Sequence, residues 1–232
     1  MPRESFERNL QHLVDQVLVL GSHVADAILD SVDALQRRDH ASARRIFDAD
    51  QHINEQRYAI EHECLTLIAT QQPMARDVRF LAAILEIITE LERIGDYAKG
   101  ISKINLLMGD ELIDQSTQIS LKEMTDRGLD MLRRALDAFI KSDSDTARRI
   151  PLEDDMVDQL YYRLYRQLVD QMMVSPSTVD HCNHLMWVAH NLERMADRVT
   201  NICERVVYSA TGEMKELDSP EGIDVYHGKN MD

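Results

Sequence analysis

Glu92 and Asp96 stand four residues apart in the stretch LERIGDYAKGI (residues 91–101), and Glu193 and Asp197 repeat that spacing in LERMADRVTNI (residues 192–202). On a helix, positions i and i+4 lie one turn apart on one face, so each pair presents two carboxylates side by side. Like charges so placed cost an isolated helix about 0.2–0.5 kcal/mol, which chance can supply once. Repetition in a second stretch that also shares Leu, Arg and Ile requires a cause.

A second set of oxygen-bearing side chains completes the pattern. Asp50 and Asn54, in DADQHIN, correspond to Asp154 and Asp158, in EDDMVD, at a shift of 104 residues. Ile53 and Val157 take the neighbouring core positions, so both pairs are expected beside an apolar stripe and not within it. If the helices carrying the two sets pack side by side, each half of the chain gathers four oxygen-bearing side chains. All-oxygen ligation suits hard cations such as Mg²⁺, Ca²⁺, Mn²⁺ or iron, and carboxylates that bridge ions from facing helices are a known use of helical bundles. The bland alternative is surface ion pairing, with Arg93 to Asp96 or Glu90 and Arg194 to Asp197, worth about 0–1 kcal/mol each.

The elements that must position these residues are helices. Phe6, Leu10, Leu13, Val17, Leu20, Val24, Ile28, Val32 and Leu35 step by three and four along one long amphipathic helix. A second stripe runs through Ile46, Ile53, Ile60, Cys64 and Leu67 to Pro73, and a third from Val78 to Ile101, ending near Gly109. The pattern then restarts with Leu121 to Phe139, Leu160 to Met172, and Leu185 to Val206. DHASARRI (39–46) matches DSDTARRI (143–150), and Pro73 matches Pro176. The fold class expected is all-α, two tandem antiparallel three-helix bundles related by an internal repeat. The first spans residues 1–110 and the second 111–212, followed by a loosely held acidic tail, 213–232. Pro151, whose counterpart is Phe47, should kink the fifth helix or mark its true start.

Composition narrows the function. With 26 Lys plus Arg against 41 Asp plus Glu, the net charge of −15 opposes nucleic-acid binding through phosphate neutralisation. Cys64, Cys182 and Cys203 are odd in number and widely spaced, as expected for reduced, buried thiols in a reducing compartment. No charge-free run approaches the ~20 residues of a membrane span, and the N-terminus has no signal-peptide core, so a cytoplasmic location is expected. DHCNH (180–184) offers His181, Cys182 and His184 to a softer metal such as zinc, but the first half has no counterpart. No phosphate-binding loop, dinucleotide fingerprint or nucleophile elbow occurs, so an enzyme is not expected. A carboxylate-bridged oxidase of the ferritin-like type is the catalytic alternative, against which stands the lack of any Glu with His three residues later.

Taken together, the paired L-E-R-[IM]-x-D motifs, QQPMARDVRFL leading into the third helix, and the D-x-x-[IV]-[ND] motif of the second closely resemble the PhoU family of phosphate-signalling proteins. The likeness covers residues 5 to 212. It implies a cytoplasmic, usually dimeric regulator that couples the membrane phosphate ABC transporter to the sensor histidine kinase of the phosphate-starvation response. Such proteins restrain that response and limit uptake when phosphate is plentiful, and reach the membrane only through their partners. Some members bind iron or other metal ions through paired E/D-x-x-x-D motifs. The resemblance carries that role to Asp50, Asn54, Glu92 and Asp96 in the first half, and to Asp154, Asp158, Glu193 and Asp197 in the second, with Fe, Mn, Mg, Ca or Zn as candidates. Asn54 departs from a full carboxylate set, and its uncharged amide should weaken the first site.

Overall fold

In the computed structural model, residues 2–109 and 112–217 are described; most of the expected acidic tail therefore lies outside the described residues. Among them the chain is helical throughout, with no strand: α1 (Pro2–Arg37), α2 (His40–Gln71), α3 (Ala75–Leu107), α4 (Gln115–Lys141), α5 (Ser144–Arg149), α6 (Asp154–Val174) and α7 (Val179–Thr211). Single 3-10 turns lie at Ile150–Glu153 and Pro176–Thr178. The bundle α1–α2–α3 is thus repeated as α4–α6–α7, with α5 as the detached first turn of the expected fifth helix. Pro151 has no N–H to donate, so the chain there tightens into 3-10 geometry before α6 resumes.

The repeat extends to the turns. α1 and α4 both end on a left-handed residue, Arg38 at φ 57° and Ser142 at φ 51°. The next N–H reaches back in each, Asp39 to Ala34 O at 2.8 Å and Asp143 to Ala138 O at 2.9 Å, satisfying a terminal carbonyl. Asp39 and Asp143 then cap the following helices, accepting from the Ser42 and Thr146 backbone N–H at 2.9 and 3.0 Å. The hydroxyls of Ser42 and Thr146 donate to the same two carboxylates. Hydrogen bonds, led by that of the Ser42 side chain for Asp39 and that of the Thr146 backbone for Asp143, hold both caps below the ordinary carboxylate range. This accounts for the shared Asp and hydroxyl residue in DHASARRI and DSDTARRI.

Apolar stripes from all the long helices meet in one continuous hydrophobic cluster. The first stripe is buried from Phe6 to Leu35 except for Leu10, which is half-buried. α3 and α7, the helices that carry the LER motifs, pack most extensively on each other and so join the two bundles at the centre of the molecule. The three thiols are buried and unpaired, and burial pushes Cys64 and Cys203 up to about 12, which leaves them protonated and inert. Among the described residues no helix is long and apolar enough to cross a membrane.

Candidate functional site

In the first half, α2 and α3 bring together all four residues singled out from the sequence. Asp50 lies deeper than its place beside the stripe suggested: it is only 4% exposed, as buried as the core position Ile53. Its compensation is a residue that pattern reasoning passed over. Lys99, one turn beyond Asp96, reaches across to Asp50 and places Nζ 2.6 Å from Oδ2. The Asn54 amide donates to the same oxygen at 3.2 Å. Asp50 Oδ1 is buried without a hydrogen-bond partner. Burial, then Asp96, raises Glu92 above the ordinary carboxylate range while the Arg57 guanidinium opposes the shift. Burial, then Asp50, raises Asp96 against the pull of Lys99. The Asp50 hydrogen bond in turn raises Lys99, which is therefore a firm cation.

The second half gathers Asp154 and Asp158 from α6 with Glu193 and Asp197 from α7. Burial is the leading cause of the perturbation, with the neighbouring carboxylates adding to it: Asp154 is pushed up to about 8 and Glu193 to about 7, and Asp158 is also raised. Asp197 is the largest carboxylate contributor in all three. Arg194 sits 3.1 Å from Asp197. His190 Nδ1 lies 3.2 Å from Glu193 Oε2, but out of hydrogen-bond alignment, and burial followed by Arg194 holds His190 below its ordinary value. The cations that bear on Glu193 are Arg194 and Arg198. Asp154 Oδ1, Glu193 Oε2 and the hydroxyl of Thr200, one turn beyond Asp197, are all buried without a hydrogen-bond partner.

Behind the two acidic sets, α3 and α7 run antiparallel and exchange polar contacts along their length. Glu86 pairs with Arg205 at 3.4 Å, and Glu90 accepts from Asn201 at 3.1 Å and Arg198 at 3.4 Å. Tyr97 bonds Arg194, and Gly100 lies under Asn191. Arg93 reaches Glu90 at 2.6 Å. Glu90 is only 8% exposed, so this pairing belongs to the joint between the bundles and is no surface ornament.

These facts test the fit of a cation. Among the described residues no group of three or more His, Cys, Asp or Glu side chains is gathered closely enough to hold a metal ion as placed. Ligation in either half therefore needs side-chain rotation. In the second half the donor set suits such an ion: acidic oxygens of hard character, with buried acceptors awaiting a positive partner. In the first half an ammonium already stands on Asp50. The alternative of a zinc site at His181, Cys182 and His184 finds no support, since Cys182 is fully buried.

The comparisons with known proteins agree with this architecture. The PhoU domain matches the chain twice, over residues 17–104 and 121–206. The phosphate-specific transport system accessory protein PhoU of Escherichia coli K12 is 34% identical over 231 residues, covering 98% of this chain and 94% of that one. The homologous accessory protein of Clostridium acetobutylicum is 34% identical over 220 residues, 94% of this chain and all of that one. Crystal structures of the phosphate transport system regulatory protein PhoU from Streptococcus pneumoniae and of PhoU from Pseudomonas aeruginosa both superpose with a TM-score of 0.84, at 32% and 30% identity. Each covers 90% of this chain, which spans 99% and 100% of theirs. With the same domain twice in one chain and matching relatives over nearly its whole length, the chain belongs to the PhoU family.

Proposed function

We propose that this protein is a non-enzymatic regulator of phosphate uptake and of phosphate-starvation signalling, acting in the cytoplasm as an adaptor between the phosphate ABC transporter and a sensor histidine kinase. The observation that carries the reading is the near-full-length match to proteins named as accessory to phosphate-specific transport. The polar faces support it: two sets of acidic side chains on an otherwise well-packed helical body give an adaptor charge with which to select partners and speed encounter. In this reading the protein acts as a homodimer, touches the membrane only through its partners, and binds metal ions at the acidic faces. Cations there would screen carboxylates that repel one another and so alter the surface shown to a partner.

Deletion of the gene tests the regulatory role. It should derepress phosphate-starvation genes in phosphate-rich medium, with recovery on complementation. Unchanged expression would reject it. Co-purification with the transporter ATPase subunit and with the kinase tests the adaptor role separately, and metal content of the full chain after chelation and reloading tests the cation reading.

A further inference from the structure

Superposing the two halves by their repeat exposes a consistent difference around the acidic sets. Lys99 in α3 corresponds to Thr200 in α7, Arg57 in α2 to Tyr161 in α6, and Asn54 to Asp158. These three exchanges move charge in the same direction, offset in part by Tyr97, whose counterpart is Arg198. The first half has three carboxylates, Asp50, Glu92 and Asp96, faced by Lys99 and Arg57; the second has four, with a hydroxyl and a phenol at those places. Arg194 and Arg198 do bear on the second set, but Arg194 is also bonded to Tyr97 and Arg198 to Glu90, both across the α3–α7 joint.

We propose that Lys99 is a tethered counter-cation that fills the first acidic set, so that binding of an exogenous cation is confined to the second half. This rests on the cation reading above and limits it to one site. An ammonium 2.6 Å from Asp50 Oδ2 takes that oxygen, leaving only Oδ1 open, and repels a dication brought to the same carboxylate. Arg57, which also pairs with Glu61 at 3.1 Å, bears on Glu92 as a second positive charge. In the second half the position equivalent to Lys99 is Thr200, 4% exposed and with its hydroxyl unpartnered. Helical spacing sets Thr200 on the face of Glu193 and Asp197, as Lys99 follows Glu92 and Asp96. Thus one half carries its cation covalently and the other presents the same cradle without it.

The test uses Mn²⁺ as the probe, with the full chain stripped by chelator and reloaded, and bound metal counted by elemental analysis and titration calorimetry. Wild type and the double variant Glu92→Gln with Asp96→Asn should bind equal amounts, while Glu193→Gln with Asp197→Asn should lose binding. Lys99→Thr should bind more Mn²⁺ than wild type, because it frees Asp50 Oδ2 in the first half, while Arg57 and Asn54 keep that set short of the second. Thr200→Lys should abolish binding while circular dichroism and melting show a folded chain. Should Lys99→Thr fail to fold, the contrast between the two double variants still decides. Metal lost on changing Glu92 and Asp96, or unchanged loading in a folded Lys99→Thr, would overturn the assignment of Lys99 while leaving metal binding itself intact. Absence of Mn²⁺ from every form, Lys99→Thr included, would overturn both readings.

Discussion

Gly95 and Ile53 offer a sharp test of whether the two halves are built to the same plan by different means. A Cβ added to Gly95 would lie 3.1 Å from Ile53 Cδ1 and 3.2 Å from Ile53 Cγ2. The Cδ1 atom can swing, but Cγ2 is fixed by the stiff χ1 of a β-branched side chain. In the second half the same two places hold Ala196 and Val157: a methyl added on one helix is balanced by one removed from the other. Gly95→Ala alone gains about 1 kcal/mol of helix propensity and meets an overpacking cost of about 1–3 kcal/mol, a net loss of roughly 0–2 kcal/mol. Ile53→Val alone costs about 0.5–1.5 kcal/mol for the deleted methyl. Were the two independent, the double variant would lose the sum, roughly 0.5–3.5 kcal/mol. Complementarity instead recovers part of that sum, more than about 0.5 kcal/mol, because Val lacks the Cδ1 that stands 3.1 Å from the new Cβ while its Cγ2 stays in place. The assay is urea unfolding of the metal-free chain followed by circular dichroism, with midpoints compared at a common slope. Losses that add to within about 0.3–0.5 kcal/mol would refute the reasoning and show that α2 and α3 shift apart instead of interlocking. The stakes reach the acidic face, since Gly95 precedes Asp96 and Ile53 precedes Asn54, so this contact sets how closely the two sets approach.

Asn105 is fully buried with neither amide atom partnered, and its counterpart is Val206, so Asn105→Val should stabilise the chain by about 1–3 kcal/mol in the same unfolding assay. Asp114 caps α4 by accepting from the Thr117 backbone N–H at 3.0 Å, and although burial pushes it up, hydrogen bonds from Ser116 and Thr117 hold it below the ordinary range; Asp114→Ala should cost about 1 kcal/mol. Asp154 at about 8 and Glu193 at about 7 bind protons in the folded chain that the unfolded chain has already released, so stability in chelator should fall as pH rises from about 4 through about 8. Melting temperatures at pH 5.5 and 8.5 check this, and Asp154→Asn with Glu193→Gln should flatten the slope.

Periodicity made the long helices legible because each buries a single face, and a residue three or four steps along that face has little choice of environment. The duplicated turns were legible for a related reason: a left-handed residue followed by a capping Asp needs particular residue types at fixed places. Pro151 could be read as an interruption since a missing N–H acts locally whatever surrounds it. The facing of the acidic pairs also followed from spacing once the helices were neighbours. What escaped was the reach of long side chains. A helical wheel places Lys99 near the site, but not the rotamer that carries its ammonium across to the neighbouring helix. Asp50 likewise read as a stripe-edge residue, because its burial depends on that distant partner. Glu90 and Arg93 looked like a surface ion pair, and Glu90 became part of the central joint only because Arg198 and Asn201 of α7 pack onto it, a fact of tertiary assembly that local pattern does not contain. The signal available for Lys99 was comparative: aligning the two repeats sets it opposite Thr200.

The joint between the bundles gives this asymmetry a mechanical consequence. Arg194 serves Asp197 within the second half and Tyr97 across the joint, while Arg198 bears on Glu193 and reaches Glu90. A cation drawn to Glu193 and Asp197 competes with both arginines for the same carboxylates, and a guanidinium freed from one acceptor strengthens its hold on the other. On the proposed reading, binding in the second half would therefore act on the contacts that fix α7 against α3, and α3 carries Glu92 and Asp96 of the first acidic set. Lys99 would hold Asp50 whatever the second half contains, so one face would stay constant while the other and the joint respond. Such a division would suit the adaptor role proposed above, in which the protein must remain recognisable to one partner as its fit to another is adjusted.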